Sequence, residues 1–311
     1  EEASGLMIER PSLHALAVFL AVVEHGSMTA AAEAEGISQP AISAQVKVLE
    51  RYFDATLLQR SGRGVALTAT GSVVAGYARR ILALTDELGR AVSDLEGLAA
   101  GRLIIGASST VGEQLLPMHL GRFSTAYPGV ALELRIGNTD EITAAVLMRE
   151  LDFAFVGRSP ADDDLFAEPF FADDVVAFVA PGDPLLRDAP INPAMLSGRQ
   201  FVLRERGSAT RDLALQCLAA SGCQPGHVIE LGSNEAVKRA VEARLGIGLL
   251  STHTIEAERL AELLVDLPIA GWACRRSFWF IRRRDRALTR AEQAFLALVP
   301  RPSPPGARHP H

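Results

Sequence analysis

A glycine at position 36 separates two short helical segments, and this corner constrains the N-terminal fold more than any other feature of the sequence. Before it, an alanine-rich segment begins behind Ser27, a residue type that caps helix N-termini, and the glycine then breaks the helix. After it, Ser38 is a second N-cap candidate, and Pro40 suits the first turn of a helix. We therefore predict a helix-turn-helix over residues 27–53.

The second of these helices has an apolar face and a polar face. Its apolar residues recur at helical spacing, and the predicted buried stripe is Ile42, Val46, Leu49 and Phe53. The opposite face and the first turn carry small, amide and basic groups, which suit base edges and phosphates in a DNA major groove. A helix–glycine–helix corner also occurs in other all-α domains, so periodicity alone leaves both interpretations open. The candidate DNA contacts on this helix are Ser38, Gln39, Pro40, Ser43, Ala44 and Lys47.

The segments that flank this corner complete a small domain. Ser12 is expected to cap a first helix, and residues 57–67 predict a two-stranded wing around a glycine-rich turn. Arg60 and Arg63 lie near its tip, where they suit a backbone or minor-groove contact, although two solvated arginines would explain them as well. The first helix is expected to direct one face to the core through Leu13, Leu16, Leu20 and Val23, with Phe19 beside it.

A long helix is predicted from Thr68 or Thr70 to about Leu98. Its apolar residues repeat at spacings of three and four over several heptads, which predicts pairing with a second copy of the chain. The alternative is a long helix packed on its own chain. Paired helices would hold two recognition helices for DNA half-sites about 34 Å apart. The apolar positions are Val74, Tyr77, Ile81, Leu84, Leu88, Ala91, Leu95 and Leu98.

After Gly101 the pattern changes to alternating strands and helices, which predicts a mostly parallel sheet with helices on both faces. A strand over 175–180 is expected to cross into a second lobe, and the chain returns to the first lobe at residues 278–281. The predicted regions are a DNA-binding domain over 7–67, a linker helix over 68–98, an effector domain over 102–299 and a disordered tail over 300–311. Within the effector domain, lobe 1 covers about 102–175 and 277–299, and lobe 2 covers about 176–276.

The amino-acid sequence of the N-terminal region resembles that of a known family. The segment ISQPAISAQVKVLE, followed by LLQRSGRGVALTATG, is similar to the LysR-type transcriptional regulators. This resemblance implies an all-α winged helix-turn-helix and linker helix, followed by a two-lobed α/β effector domain like that of periplasmic binding proteins. It also implies a dimer or tetramer on an interrupted inverted repeat of double-stranded DNA, controlled by a small, anionic effector. Many members carry a larger polar or basic residue where this chain has Ala44, which predicts one contact fewer or a preference for a thymine methyl group.

The effector is expected where helices begin at the carboxyl ends of strands, since free N–H groups there attract anions. Ordinary N-capping would use the same residue types, so it remains the alternative for each of them. Arg204 is a candidate for binding an acidic effector, although a surface salt bridge with Glu205 would explain it equally well. The segment LRERGSATR also resembles the second-lobe effector segment of the family. The candidate effector residues are Ser108, Ser109, Thr110, Asn138, Thr139, Arg204, Gly207, Ser208 and Thr210.

Composition limits the other function classes. A net charge of −6 argues against unspecific attraction to DNA. Cys217, Cys223 and Cys274 neither pair completely nor form a CxxC motif, so we expect no disulfide scaffold, and a thiol sensor is disfavoured because Ala209 stands beside the position that carries the reactive cysteine in peroxide-sensing relatives. No catalytic motif, cofactor fingerprint or metal-ligand spacing is present, and neither a membrane segment nor a signal pattern is apparent. We expect a cytoplasmic regulator that is not an enzyme; the alternatives are a solute-binding protein whose N-terminal helices serve only oligomerisation and, more distantly, an enzyme on the two-lobed fold.

Overall fold

The computed structural model describes residues 10–62, 64–94 and 101–299. This part of the chain divides into two compact units, with the main boundary between Val92 and Ser93. Within the described residues, no helix is long and apolar enough to span a membrane. Arg63, Leu95, Leu98 and the predicted tail lie outside the described residues.

The first unit contains the predicted helical corner. All three serines named as N-caps accept hydrogen bonds from backbone N–H groups one turn ahead, at 3.1 to 3.4 Å. Gly26 and Gly36 end the first two helices with φ angles of 62° and 67°, which are left-handed conformations that favour glycine. The helices are α1 (Leu13–His25), α2 (Met28–Glu35) and α3 (Gln39–Phe53).

The interior of this unit confirms most of the predicted apolar faces. Ile42, Val46 and Leu49 are buried on α3, as expected. Phe53, however, is 40% exposed and Leu13 is 46% exposed, so the prediction that both pack in the core was wrong. Both residues lie at a helix end, Leu13 at the start of α1 and Phe53 at the end of α3.

The wing and the long helix follow α3. Strands β1 (Leu58–Ser61) and β2 (Gly64–Leu67) pair antiparallel, and Arg60 is exposed. Helix α4 (Ala69–Asp94) has 26 described residues, which corresponds to about 39 Å at the usual rise. Its N-terminal turns pack into the unit through Val74, while six other large apolar side chains among its described residues are exposed. These exposed side chains are Val73, Tyr77, Ile81, Leu84, Leu88 and Val92.

The second unit alternates strands and helices. A π-helical turn over Val111–Leu115 precedes its first helix. In chain order the elements are β3 (Gly101–Ser108), α5 (Leu116–Ala126), β4 (Val130–Gly137), α6 (Thr139–Leu147), β5 (Phe153–Val156), β6 (Leu165–Val179), β7 (Gln200–Arg204), α7 (Ala209–Ala220), β8 (His227–Leu231), α8 (Asn234–Glu242), β9 (Ile247–Ser251), α9 (Glu256–Leu260), β10 (Val265–Asp266), β11 (Arg275–Arg283) and α10 (Arg290–Leu298).

The strands form two parallel groups joined by two antiparallel crossover strands. The order is β4-β3-β5-β11-β6-β9-β7-β8, with β10 paired to β6. Strands β4, β3 and β5 are parallel, as are β9, β7 and β8. Because β6 pairs with β11 along one half and with β9 along the other, it belongs to both groups. We call the group around β3 lobe 1 and the group around β7 lobe 2.

Strand β6 is longer than predicted. It begins at Leu165, ten residues before the expected start at Val175. This part of the chain was not predicted as a strand because it contains Pro169, and proline lacks the backbone N–H that a sheet ladder uses. In the structure Pro169 lies at the point where the pairing of β6 with β11 shifts register, and such an irregularity tolerates proline.

Each lobe has its own apolar core, consistent with two layers of helices on a sheet. Lobe 1 centres on aromatic rings, including Phe123 and Phe153, and α10 adds Phe295 from the C-terminal end of the described chain. Lobe 2 centres on Phe201, Leu203 and smaller aliphatic side chains.

The cysteines and the arginines at the end of β11 make specific contacts in the second unit, and the cysteines need a correction because no disulfide was expected. Cys217 and Cys274 form a disulfide within lobe 2, with Cα atoms 5.7 Å apart, and Cys223 is a buried free thiol. Two arginines at or just after the end of β11 are buried, since Arg283 and Arg286 are each 5% exposed. The Arg286 guanidinium donates to both carboxylate oxygens of Glu292, at 2.9 and 2.6 Å, and so helps to fix α10.

Candidate ligand cleft and nucleic-acid interface

The outer face of α3 carries the predicted DNA contacts. Ser38 caps the helix, with its Oγ 3.4 Å from the Ala41 N–H, and Pro40 occupies the first turn. Proline is tolerated in the first turn of a helix, because the backbone N–H that it lacks would have no partner within the helix. Gln39, Pro40, Ala44 and Lys47 are exposed, and Ser43 is half-buried at the edge of the face.

The predicted effector residues come together between the two lobes of the second unit. Ser108, Ser109 and Thr110 lie where β3 leads into helix, and Ser208 and Thr210 lie at the start of α7 in the other lobe. The starts of α6 and α7 therefore face one cleft, as the parallel strand order requires. Its lining residues are Ser108, Ser109, Thr110, Asn138, Thr139, Gly157, Arg204, Ser208, Ala209, Thr210 and Arg276.

Gly207 does not line the cleft but lies at its rim. Its φ of +88° favours glycine, and a Cβ there would lie 3.0 Å from Oδ1 of Asn138 in lobe 1. The Gly207 carbonyl accepts a hydrogen bond from the Asp140 N–H at 3.3 Å. Glycine at this position therefore lets the backbone of lobe 2 approach the start of α6.

N-capping accounts for one of the candidate residues but not for all. Asn138 Oδ1 accepts from the Glu141 N–H at 3.0 Å, and a Glu141 carboxylate oxygen accepts from the Asn138 N–H at 2.9 Å. Thr139 Oγ1 instead accepts from the Gly157 N–H at 3.2 Å. Ser208 occupies the N-cap position of α7, yet its side chain makes no capping hydrogen bond. Capping therefore explains Asn138. The Ser208 side chain, by contrast, lines the cleft and makes no capping hydrogen bond.

The salt bridge with Glu205 that was considered from the sequence is present, but Arg204 itself is buried rather than at the surface. Its Nε and Nη2 donate to the two carboxylate oxygens of Glu205 at 2.7 and 2.9 Å. Its Nη1 donates to Asn234 Oδ1 at 2.5 Å, and Nη2 also reaches Ser109 Oγ in lobe 1 at 3.2 Å. Arg204 therefore links the lobes through a nearly complete set of hydrogen bonds.

Arg276 is a cleft residue that the sequence reasoning missed. It lies on β11 directly opposite Asp173 of β6, and its side chain is 7% exposed. Its Nε donates to Asp173 Oδ2 at 2.8 Å, and Asp173 Oδ1 accepts from Ser251 Oγ at 2.6 Å. Burial lowers the pKa of Arg276, Asp173 opposes that change, and the positive charge of Arg204 adds to it. A sequence signal was available, since the Asp-Asp pair at 173–174 and the Arg-Arg pair at 275–276 lie just before the predicted crossover segments 175–180 and 278–281.

Several contacts hold the lobes against each other around the cleft. Asn234 Nδ2 of lobe 2 donates to Glu113 Oε2 of lobe 1 at 3.0 Å, and Arg158 of lobe 1 donates to Asp212 of lobe 2 at 2.7 Å. The cleft is narrow, with a volume of about 10 Å³, roughly the room that one water molecule needs. A larger ligand would need the lobes to lie further apart than they do here.

Gly157 sets how closely the lobes approach. It follows β5 directly, and a Cβ there would lie 2.7 Å from the Ala209 Cβ of lobe 2 and 3.1 Å from Thr139 Oγ1. Such a distance between carbon atoms is too short for contact, so a side chain at this position is incompatible with the observed approach.

A metal centre has no support in the part of the chain that the structure describes. Within it, no group of three or more histidine, cysteine, aspartate or glutamate side chains is arranged to hold a metal ion.

Comparison with known proteins gives matches along nearly the whole chain. The family model described as "Bacterial regulatory helix-turn-helix protein, lysR family" matches residues 13–72, and "LysR substrate binding domain" matches residues 96–301. The RuBisCO operon transcriptional regulator of Allochromatium vinosum is 34% identical over 288 residues, which is 93% of this chain and 95% of that protein.

Two solved structures have the same architecture. The regulatory domain of Synechocystis PCC6803 CcmR in complex with 2-PG aligns with a TM-score of 0.59 and 30% identity, covering 63% of this chain and 94% of that one. Full-length CbnR complexed with its target DNA aligns with a TM-score of 0.68 and 23% identity, covering 93% of this chain and 98% of that one.

Proposed function

The chain belongs to the LysR family of bacterial transcriptional regulators, and from this we propose that a small anionic effector in the interlobe cleft controls its binding to a specific DNA sequence. The family and the named relatives are DNA-binding regulators with an effector-binding domain, and they are not enzymes. The single observation that carries the proposal for the effector is the convergence of hydroxyl and guanidinium groups from both lobes on one cleft.

The chemistry of the cleft favours an anion. Of the described residues that line it, six carry hydroxyl groups and two carry guanidinium groups, and none carries a carboxylate. Hydroxyl and guanidinium donors at helix starts suit phosphate or carboxylate oxygens. CcmR, which is 30% identical to this chain over the aligned domain, was solved with 2-PG. We therefore propose a small acidic or phosphorylated effector of similar size.

The DNA contacts proposed here follow from the exposed face of α3. Gln39 and Ser43 are assigned to base edges, Lys47 to a phosphate, and Ser38, Pro40 and Ala44 to close approach of the helix to the groove. Arg60 on the wing is assigned to the DNA backbone, and Arg63 keeps the same assignment on sequence grounds.

Oligomerisation is proposed through α4. The apolar stripe of exposed side chains from Tyr77 to Val92 is compatible with a paired helix from a second copy. Such a dimer would present two recognition helices to an interrupted inverted repeat, and two dimers would form a tetramer. As a regulator of DNA, the protein is proposed to act in the cytoplasm.

A gel-shift titration against the DNA upstream of the protein's own gene tests this function. We expect binding that survives excess unrelated DNA and that weakens at least 30-fold in Gln39→Ala, Ser43→Ala, since each lost base contact costs about 1–3 kcal/mol. Glu33→Ala, an exposed change on α2 outside the proposed surface, serves as the control and should bind like the wild type. Specific binding retained by the double variant would refute the recognition-helix assignment, and absence of DNA binding together with tight effector binding would favour a solute-binding protein.

A further inference from the structure

We infer that Arg276, rather than Arg204, supplies the charge that binds the effector anion, and that it does so from the strand pair that joins the lobes. This inference rests on the proposed anionic effector and names the residue responsible for its recognition.

Arg204 has little capacity left for a ligand. Four of its hydrogen bonds go to protein atoms, and two of these form a bidentate pair with the Glu205 carboxylate. A second anion would have to compete with that carboxylate for the same donors. Arg204 therefore acts as a brace between Glu205, Asn234 of its own lobe and Ser109 of the other.

Arg276 lines the cleft and has a guanidinium nitrogen without a hydrogen-bond partner among the described residues. Among the described residues, its Nε is engaged by Asp173, while Nη2 is buried and has no hydrogen-bond partner. Burying a polar group without a partner is costly, so natural proteins rarely leave one. The guanidinium lines the cleft, and its Nη1 is the atom that a Cβ on Gly157 would approach to 3.2 Å. An anionic oxygen in the cleft would satisfy this donor.

The setting of Arg276 holds the guanidinium in place for such a ligand. Asp173 is fully buried and is itself fixed by Ser251 on β9, so the guanidinium is held firmly on its Nε side. The stacking of Arg276 over Phe278, with its Cζ 4.6 Å from the ring centroid, restricts it further. A preorganised donor loses less entropy when it binds.

The position of Arg276 also places a bound anion beside the two strands that join the lobes. Asp173 and Arg276 are register partners on β6 and β11, the two strands that both lobes share. A ligand that contacts Ser108 in lobe 1, Ser208 in lobe 2 and Arg276 between them would be sensitive to the angle between the lobes. The residue is thus a specificity element for oxygen-rich anions as well as a link to lobe closure.

Calorimetric titration of the full-length protein with 2-PG, and separately with inorganic phosphate, tests this inference. For Arg276→Gln we expect affinity for the anion to fall roughly 10- to 100-fold, as for the loss of hydrogen bonds to a charged group. The matched control is Arg275→Gln, because Arg275 is the next residue on the same strand, pairs with Asp174 at 3.0 Å, and is 82% exposed. It should bind the anion like the wild type. Arg276→Lys, which keeps the charge but loses the planar fork, should recover part of the affinity.

The outcomes separate this inference from the proposed function. Equal anion affinity in Arg276→Gln and the wild type would overturn the role of Arg276 and leave the anionic effector standing. If neither anion binds the wild type while DNA binding persists, the anionic effector and the Arg276 assignment both fail. If Arg276→Gln does not fold, Arg276→Lys decides: weaker binding with unchanged thermal unfolding supports the inference, and wild-type affinity overturns it.

Discussion

Replacing Gly157 by alanine is expected to act as a wedge between the lobes. The added Cβ would lie 2.7 Å from the Ala209 Cβ, whereas carbon atoms in contact are normally about 3.5–4.0 Å apart. The lobes must therefore separate by roughly 1 Å or deform locally.

The magnitude follows from comparing these two responses. Retaining the observed approach with an extra methyl group costs about 1–3 kcal/mol. Opening the cleft instead gives up interlobe hydrogen bonds such as Arg204–Ser109 and Asn234–Glu113, each worth about 1.5–3 kcal/mol because a charged group takes part. Since the structure adopts the less costly response, the free energy of unfolding should fall by about 1–3 kcal/mol.

Urea unfolding followed by tryptophan fluorescence measures this effect in the right part of the chain. The sequence has two tryptophans, Trp272 and Trp279, and both lie in the second unit. Gly121→Ala is the matched control, because a Cβ there meets no atom within 4 Å and the helix favours alanine. It should leave stability unchanged or raise it slightly.

A rescue variant makes the test specific to the lobe contact. Ala209→Gly removes the methyl group that the new Cβ would strike, so the double variant should recover at least half of the lost free energy, as a double-mutant cycle measures. Gly157→Ala that unfolds within 0.3 kcal/mol of the wild type, taking the additivity error as the limit, would refute the reasoning. A double variant no more stable than the sum of the single changes would locate the strain elsewhere.

Three further predictions concern other parts of the molecule. Burial lowers the pKa of His119 below its ordinary 6.5, although its hydrogen bond to the Leu298 carbonyl opposes this. The free energy of unfolding should therefore fall as the pH drops from 7.5 through that folded-state pKa, because the unfolded state takes up the proton first. In denaturation curves, His119→Asn should make the free energy of unfolding less dependent on pH over this range. The Cys217–Cys274 bond closes a separation of 57 residues, so reduction should cost about 4 kcal/mol by loop entropy, and a melting temperature that ignores reductant would contradict it. Leu88→Asp on α4 should convert the dimer to a monomer in light scattering, because a buried charge there opposes helix pairing; a persistent dimer would refute pairing through this face.

Local signals in the sequence were sufficient for the helical corner and for the alternation of strands and helices in the second unit. Ser12, Ser27 and Ser38 cap the predicted helices because capping depends on the residue and its own first turn. The grouping of Ser108 with Ser208 also followed from a general rule, since parallel strands bring their carboxyl ends to one edge.

Features that depend on distant register were not accessible in the same way. Whether Arg275 or Arg276 faces the cleft depends on the pairing of β11 with β6, which is settled over a separation of about a hundred residues. The contact of Cys217 with Cys274 likewise requires α7 to pack beside the start of β11. Phe53 shows the opposite error, because a periodic apolar position at a helix end need not reach the core.

The order of the strands along the chain also determines which lobe can fold first during synthesis. Lobe 2 is built from one continuous stretch between its crossovers, so its core can form as soon as that stretch has left the ribosome. Lobe 1 is complete only after β11 and α10 have been synthesised. Phe295 of α10 packs against Phe123 and Phe153, and the Leu298 carbonyl is hydrogen-bonded to His119, which lies 179 residues earlier in the chain. Until that last helix arrives, the aromatic core of the first lobe is open to solvent and to other nascent chains, and contacts of such long range form slowly. The half of the cleft that is synthesised first is therefore the half that is completed last.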